Sequence, residues 1–132
     1  MKIIADTNLL VRAAIQDDPA QTHIAKRLLK EADQVIVSHH ALCEFVWVLG
    51  RIYKLPKTEI LMAMHKLLEA KNVVADSAAA SAGLEAMEAG ADFADGVIDY
   101  EGRWLGGEVF VSFDKKAVTA IAKQGRQTKL LA

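Results

Sequence analysis

The amino-acid sequence predicts an α/β domain built on a mainly parallel central sheet, and three observations carry that prediction. Apolar runs of strand length alternate with helical patterns along the whole chain, the arrangement of βαβ units. Two of those runs, Lys2–Ala5 and Glu108–Phe113, are each followed by an aspartate, at the strand ends where open α/β sheets place their ligands. The 132 residues suit one domain of ordinary size, with 52% hydrophobic and 25% charged residues. No repeat or linker interrupts it, and the only biased tract is an Ala-rich run at 78–82.

Taken in order, Lys2–Ala5 is the first strand and Thr7 to about Ile15 a helix with Leu9, Leu10, Ala13 and Ala14 inward. Asp17-Asp18-Pro19 marks a turn, with Asp18 as N-cap and Pro19 as first residue of a helix to Ala32. That helix is expected to bury Ile24, Leu28 and Leu29. Gln34–Val37 is the second strand. Ser38 then caps the most apolar helix, His39 to about Tyr53, whose Leu42, Phe45, Val46, Trp47, Val48, Leu49 and Ile52 occupy nearly every face. Leu55-Pro56 breaks it. A helix from Lys57 follows, burying Ile60, Leu61, Met64, Leu67 and Leu68, and Val73-Val74 forms a short third strand. Helices at Ser77–Ala89 and Ala91–Leu105 end at Gly90 and Gly106-Gly107. Glu108–Phe113 is the fourth strand, Asp114 caps a helix to Lys123, and Thr128–Leu131 is an edge strand, four or five strands in all.

Composition narrows the function classes. Net charge is −1, so no global basic field announces nucleic acid. Charge is unevenly spread, however: residues 72–101 hold seven acids and no Lys or Arg. Such a block repels itself unless a cation or solvent compensates it. The single cysteine, Cys43, excludes an intrachain disulfide and, in its apolar run, reads as a buried spectator thiol of a reducing cytoplasm. No export signal is expected, and no stretch of about 18 apolar residues suits a membrane.

Four carboxylates need explaining. Asp6 follows the first strand and precedes two small hydrogen-bonding side chains, Thr7 and Asn8, a poor set for packing and a good one for a cation. Glu44 is the only charged residue between Asp33 and Arg51. If buried it requires a metal, a salt bridge to an arginine such as Arg51, or a helix-dipole contact. Asp92, Asp95 and Asp99 share one helical stripe, which costs stability unless a cation sits there. Asp92 also suits a first-turn acid, and Asp99 a solvated outer position. Asp95 is harder to dismiss, since it lies among small or apolar neighbours beside Gly96, which admits a backbone or ligand closely. Asp114 serves equally as an N-cap or as a ligand.

Together these residues resemble a known family. Ala5-Asp6-Thr7-Asn8, Glu44 in a helix after strand two, Ala91-Asp92-Phe93-Ala94-Asp95-Gly96-Val97-Ile98 and Val111-Ser112-Phe113-Asp114-Lys115-Lys116 look like the PIN domain, within it the VapC toxins of toxin–antitoxin pairs. The resemblance covers nearly the whole chain, with Ser112 where the family often has threonine. It implies a single three-layer α/β/α domain over 1–132 and an endoribonuclease dependent on Mg2+ or Mn2+. Asp6, Glu44, Asp95 and Asp114 would be the acidic quartet, with Thr7, Asn8 and Ser112 orienting carboxylates or water and Asp92 in support. Hard oxygen donors of this kind select Mg2+ or Mn2+ over zinc.

RNA approaching an acidic pocket requires flanking bases, for which Arg12, Lys115 and Lys116 are candidates, with Arg51 and Lys54 behind them. Few aromatics are present, which argues against an extensive stacking platform. His39-His40 are adjacent at a helix start, point in different directions and are expected to lie outside the site. The resemblance further implies a cognate VapB-type antitoxin that wraps the toxin and blocks the site, a toxin homodimer and a higher toxin–antitoxin complex. Two other classes compete: a haloacid-dehalogenase-like phosphotransferase using Asp6, disfavoured by Asn8 where a second aspartate is wanted, and a PIN-like module that binds without catalysis.

Overall fold

In the computed structural model, which describes residues 1–132, chain contacts fall into two compact units, Met1–Asp76 and Ser77–Ala132. Five strands form, all pairings parallel, in a three-stranded and a two-stranded sheet. The α/β class and the strand positions match the sequence expectation.

The first unit contains β1 (Lys2–Ile4), α1 (Thr7–Ala14), α2 (Pro19–Glu31), β2 (Gln34–Ile36), α3 (His39–Trp47), a π-helical turn (Val48–Ile52), α4 (Lys57–Glu69) and β3 (Val73–Val74). Strand β2 is central, with Val35 opposite both Ile3 and Val73 and fully buried. Helices α1 and α3 pack on one another, and Leu10, Leu42 and, in the π-helical turn, Leu49 are buried. The caps are those the side chains dictate: Asp18 accepts from the Gln21 N–H at 3.2 Å and Ser38 from the Ala41 N–H at 3.1 Å. The Asn72 amide donates to the carbonyls of Leu29 and Ala32, satisfying the orphan end of α2 and fixing the entry to β3.

Several inward faces differ from expectation. Helix α1 buries Leu10 and Val11 rather than Leu9 and Ala14, and α2 buries Thr22 and Ala25. Ile24 and Leu28 stay exposed, because the small residues of α2 make the close approach to α1. The helix expected to run to Tyr53 changes hydrogen-bond spacing at Val48, and Lys54 then takes a left-handed φ of 57° before Pro56. Trp47 and Ile52 are left more than half exposed. Cys43 is half-buried.

The second unit contains α5 (Ser77–Glu88), α6 (Phe93–Trp104), β4 (Phe110–Ser112), α7 (Lys115–Lys123) and β5 (Thr128–Leu130). Its α5–α6 contact explains the Ala-rich run and Gly96 together. A Cβ on Gly96 would stand 2.1 Å from the Ala82 carbonyl oxygen, so the close neighbour is the backbone of α5. Gly96→Ala is therefore expected to lower stability by about 1–3 kcal/mol, read from urea unfolding, with the loss arising from overpacking.

Asp99 corrects a sequence reading. It is 4% exposed rather than solvated. Both its oxygens accept from Arg103 Nε at 3.0 Å, and Arg126 binds the same carboxylate. Arg103 also donates to the carbonyls of Glu108 and Gln127, the residues leading into β4 and β5. The acidic stripe of α6 is thus split: Asp99 holds the sheet end of its unit together, and only Asp92 and Asp95 remain for other work.

Candidate metal-binding carboxylates

In the first unit Asp6 is the N-cap of α1 and exposed, yet its side chain makes no capping bond, which leaves both carboxylate oxygens uncommitted. Its backbone carbonyl accepts from Leu9 and Leu10 and starts the helix. The next residue, Thr7, donates its hydroxyl to Glu44 Oε1 at 2.9 Å. Packing of α1 on α3 produces this contact and brings Glu44 to the residue that follows Asp6.

Glu44 is exposed, not buried in its apolar helix, and Arg51 is not its partner. His40, one turn earlier, places Nε2 3.3 Å from Glu44 Oε1. That contact corrects the expectation that both histidines lie away from the candidate residues; the i, i+4 spacing was the available signal. His39 does diverge, pairing with Asp76 at 3.2 Å. Asn8 is exposed on α1, and Arg12, one turn on, pairs with Asp17 at 3.0 Å.

In the second unit Asp92 is the N-cap of α6 rather than part of it, and its N–H donates to Asp95 Oδ2 at 3.1 Å. Burial is the main cause of a raised Asp95 pKa; the Asp92 N–H opposes it, and the charges of Asp92 and Asp114 add to it. Asp114 caps α7, accepting from the Lys116 and Ala117 N–H groups through Oδ1 alone, so Oδ2 is available. Ser112 Oγ accepts from the Asp114 N–H at 2.9 Å and shapes the turn that presents this carboxylate. Lys115 and Lys116 are exposed beside it.

Neither unit by itself gathers three His, Cys, Asp or Glu side chains in a metal-holding group. Each offers hard oxygen donors with spare capacity, and the half-buried Asp95 carries like-charge repulsion that a divalent cation would relieve. These donors fit Mg2+ or Mn2+ in chemistry.

The raised Asp95 pKa makes a stability prediction. A carboxyl whose folded pKa exceeds its unfolded value favours the fold when protonated, and that contribution is lost as pH rises above the ordinary 3.8 through the folded value. Without metal, Asp95→Asn is expected to raise the thermal midpoint at neutral pH and to change it little near pH 3. Added Mn2+ should then raise the midpoint of the parent protein more than that of the variant, as followed by scanning calorimetry.

Parallel strands, an uncommitted aspartate before the first helix of one unit, and acidic N-caps on two helices of the other are what the structure offers for assignment to a class. A family model for the PIN domain matches residues 3–123, and the chain belongs to that family. No curated protein matches the sequence. Among solved structures, it is similar to the crystal structure of VapC20 from Mycobacterium tuberculosis, described as a sarcin–ricin loop cleaving toxin. The similarity covers 95% of this chain and 96% of that one, with 20% identity and a TM-score of 0.45. No helix is long and apolar enough to cross a membrane.

Proposed function

We propose that this PIN-domain protein is a VapC-type toxin, an endoribonuclease that uses Mg2+ or Mn2+ and is held inactive by a VapB-type antitoxin in the cytoplasm. The observation that carries the reading is the family match over residues 3–123, which includes Asp6, Glu44, Asp95 and Asp114. On this reading residues 1–132 work as one nuclease domain, and those four carboxylates supply the oxygens that hold the metal.

When bound, the metal supplies Lewis-acid polarisation of the scissile phosphate and lowers the pKa of water. The chain's own residues do the rest. Thr7 fixes the rotamer of Glu44 through its hydroxyl, Ser112 fixes the turn that presents Asp114, and the Asp92 N–H holds Asp95. Lys115, Lys116 and Arg12 supply positive charge for the RNA strand, Asp92 supports the acidic groups, Asn8 lies beside Asp6 at the start of α1, and a homodimer covers exposed apolar surface such as Trp47.

The test is direct. Purified protein is expected to cut RNA with Mg2+ or Mn2+, to leave 5′-phosphate and 3′-hydroxyl ends, and to stop on addition of EDTA or of the antitoxin encoded beside it. Cleavage that persists in EDTA, or an acid-stable phosphate formed on Asp6, overturns the reading.

A further inference from the structure

Beside the Asp6 end of α1 the first unit has a groove of about 410 Å3, lined by Asn8, Leu9, Arg12, Gln21, Ile24 and Ala25. We infer that this groove is a subsite for one nucleobase of the RNA strand, with Gln21 and Asn8 reading the base edge and Arg12 covering its face. The inference rests on the ribonuclease reading for its biological meaning and on the geometry of α1 and α2 for its chemistry.

Four features of the groove point to a base. Its floor is apolar, made by Leu9, Ala25 and the exposed Ile24, and suits a flat ring better than a hydrated phosphate. The side-chain amides of Asn8 and Gln21 take part in no hydrogen bond within the chain, so their donors and acceptors are free for the mixed pattern of a base edge.

Arg12 is oriented before any ligand arrives. Its Nη1 donates to Asp17 Oδ1 at 3.0 Å, and the Tyr53 hydroxyl donates to the other Asp17 oxygen at 3.2 Å. A guanidinium held by one of its five N–H groups keeps the others, and its plane, for a ligand.

Position supplies the last feature. From Asp6 to Arg12 the helix rises about 9 Å, at 1.5 Å per residue, so a phosphate beside Asp6 brings the adjoining nucleotide to the groove. The chain's net charge of −1 offers little nonspecific attraction to RNA, which leaves base contacts a larger share of affinity and selectivity. Tyr53 and Asp17 are positioning residues here, since they act on the base through Arg12.

The first measurement needs no catalysis. Metal-free full-length protein is titrated with each of the four nucleoside 5′-monophosphates while the side-chain amide signals of Asn8 and Gln21 are followed by NMR. One base is expected to shift both signals more strongly than the others. Gln21→Ala should weaken that nucleotide's binding about 2- to 10-fold, the worth of one neutral hydrogen bond, and erase the preference among bases. Tyr53→Phe should weaken all four similarly. Equal shifts for all bases, shifts with inorganic phosphate alone, or no shift with any nucleotide overturn the subsite.

The second measurement sequences the cut ends from a randomised RNA pool. The parent enzyme should prefer one base at a fixed distance from the cut, Gln21→Ala should flatten that preference, and Tyr53→Phe should raise KM with little change in kcat. An unchanged preference in Gln21→Ala overturns the inference. Failure of the parent protein to cut any RNA, with nucleotide binding at Gln21 intact, would count against the ribonuclease reading and not against the base subsite.

Discussion

Asp6→Asn is expected to reduce metal-dependent RNA cleavage by at least about 10²- to 10³-fold while leaving the fold in place. A metal contributes several kcal/mol of charge stabilisation in phosphoryl transfer, and each 1.36 kcal/mol is worth about tenfold in rate. Folding should survive, because the Asp6 carboxylate makes no capping bond and asparagine is as good an N-cap as aspartate. Single-turnover cleavage assays with Mn2+ titrated over a wide range check this. The variant should show both a lower rate and a weaker apparent metal affinity, with an unchanged circular dichroism spectrum and melting profile. Parent-like cleavage by Asp6→Asn would remove Asp6 from the reaction and, with it, the acidic-site mechanism.

The second large effect is structural. Asp99→Ala is expected to cost about 3–5 kcal/mol, because it leaves Arg103 and Arg126 facing a buried position without their counter-charge. The second unit should suffer first, since Arg103 also bridges the carbonyls of Glu108 and Gln127. Hydrogen exchange should show the amides of β4 and β5 losing protection before those of β1 and β2, and the urea midpoint should fall. A loss below about 1 kcal/mol would place the pair among surface ion pairs of little worth. Asp99→Asn, which keeps hydrogen-bond acceptors, should fall between the two extremes.

These two aspartates show what could be read before folding and what could not. Asp6 was legible because its signal is local: an apolar strand, a carboxylate at its end and a helix start. The elements generally followed from such local signals, which is why caps at Asp18 and Ser38 and the strand at Val73-Val74 stand where periodicity and side-chain chemistry put them. Asp99 was misread because one partner, Arg126, is 27 residues away and only packing brings it in. Inward faces of α1 and α2 were misread for a related reason: periodicity identifies an apolar stripe, and a neighbour's small residues decide which edge of the stripe is covered.

Glu44 is an intermediate case. Its helix looked apolar on every face, which made a buried carboxylate the natural expectation. In the structure His40, Glu44, Trp47 and Arg51 form one exposed stripe at helical spacing. Trp47 disguised it by placing a large apolar side chain in the middle of a polar row. The Thr7–Glu44 bond depends on two helices meeting and had no sequence signature beyond the residue types.

The π-helical turn at Val48–Ile52 has a consequence for how the chain tolerates changes in length. One residue more than an α-helical turn is accommodated there, and the Tyr53 N–H reaches back five residues to the Val48 carbonyl. Deleting a single residue between Val48 and Ile52 would let the segment rewind as ordinary helix, with the Tyr53 N–H still on the Val48 carbonyl but four residues back in place of five. The phenol would then keep its direction toward Asp17, and Arg12 the anchor that aims it. A gap of one in a relative's sequence at this turn is therefore expected to be tolerated by the groove beside α1, whereas a gap of one in the regular turns of α3 would rotate everything after it by about 100°.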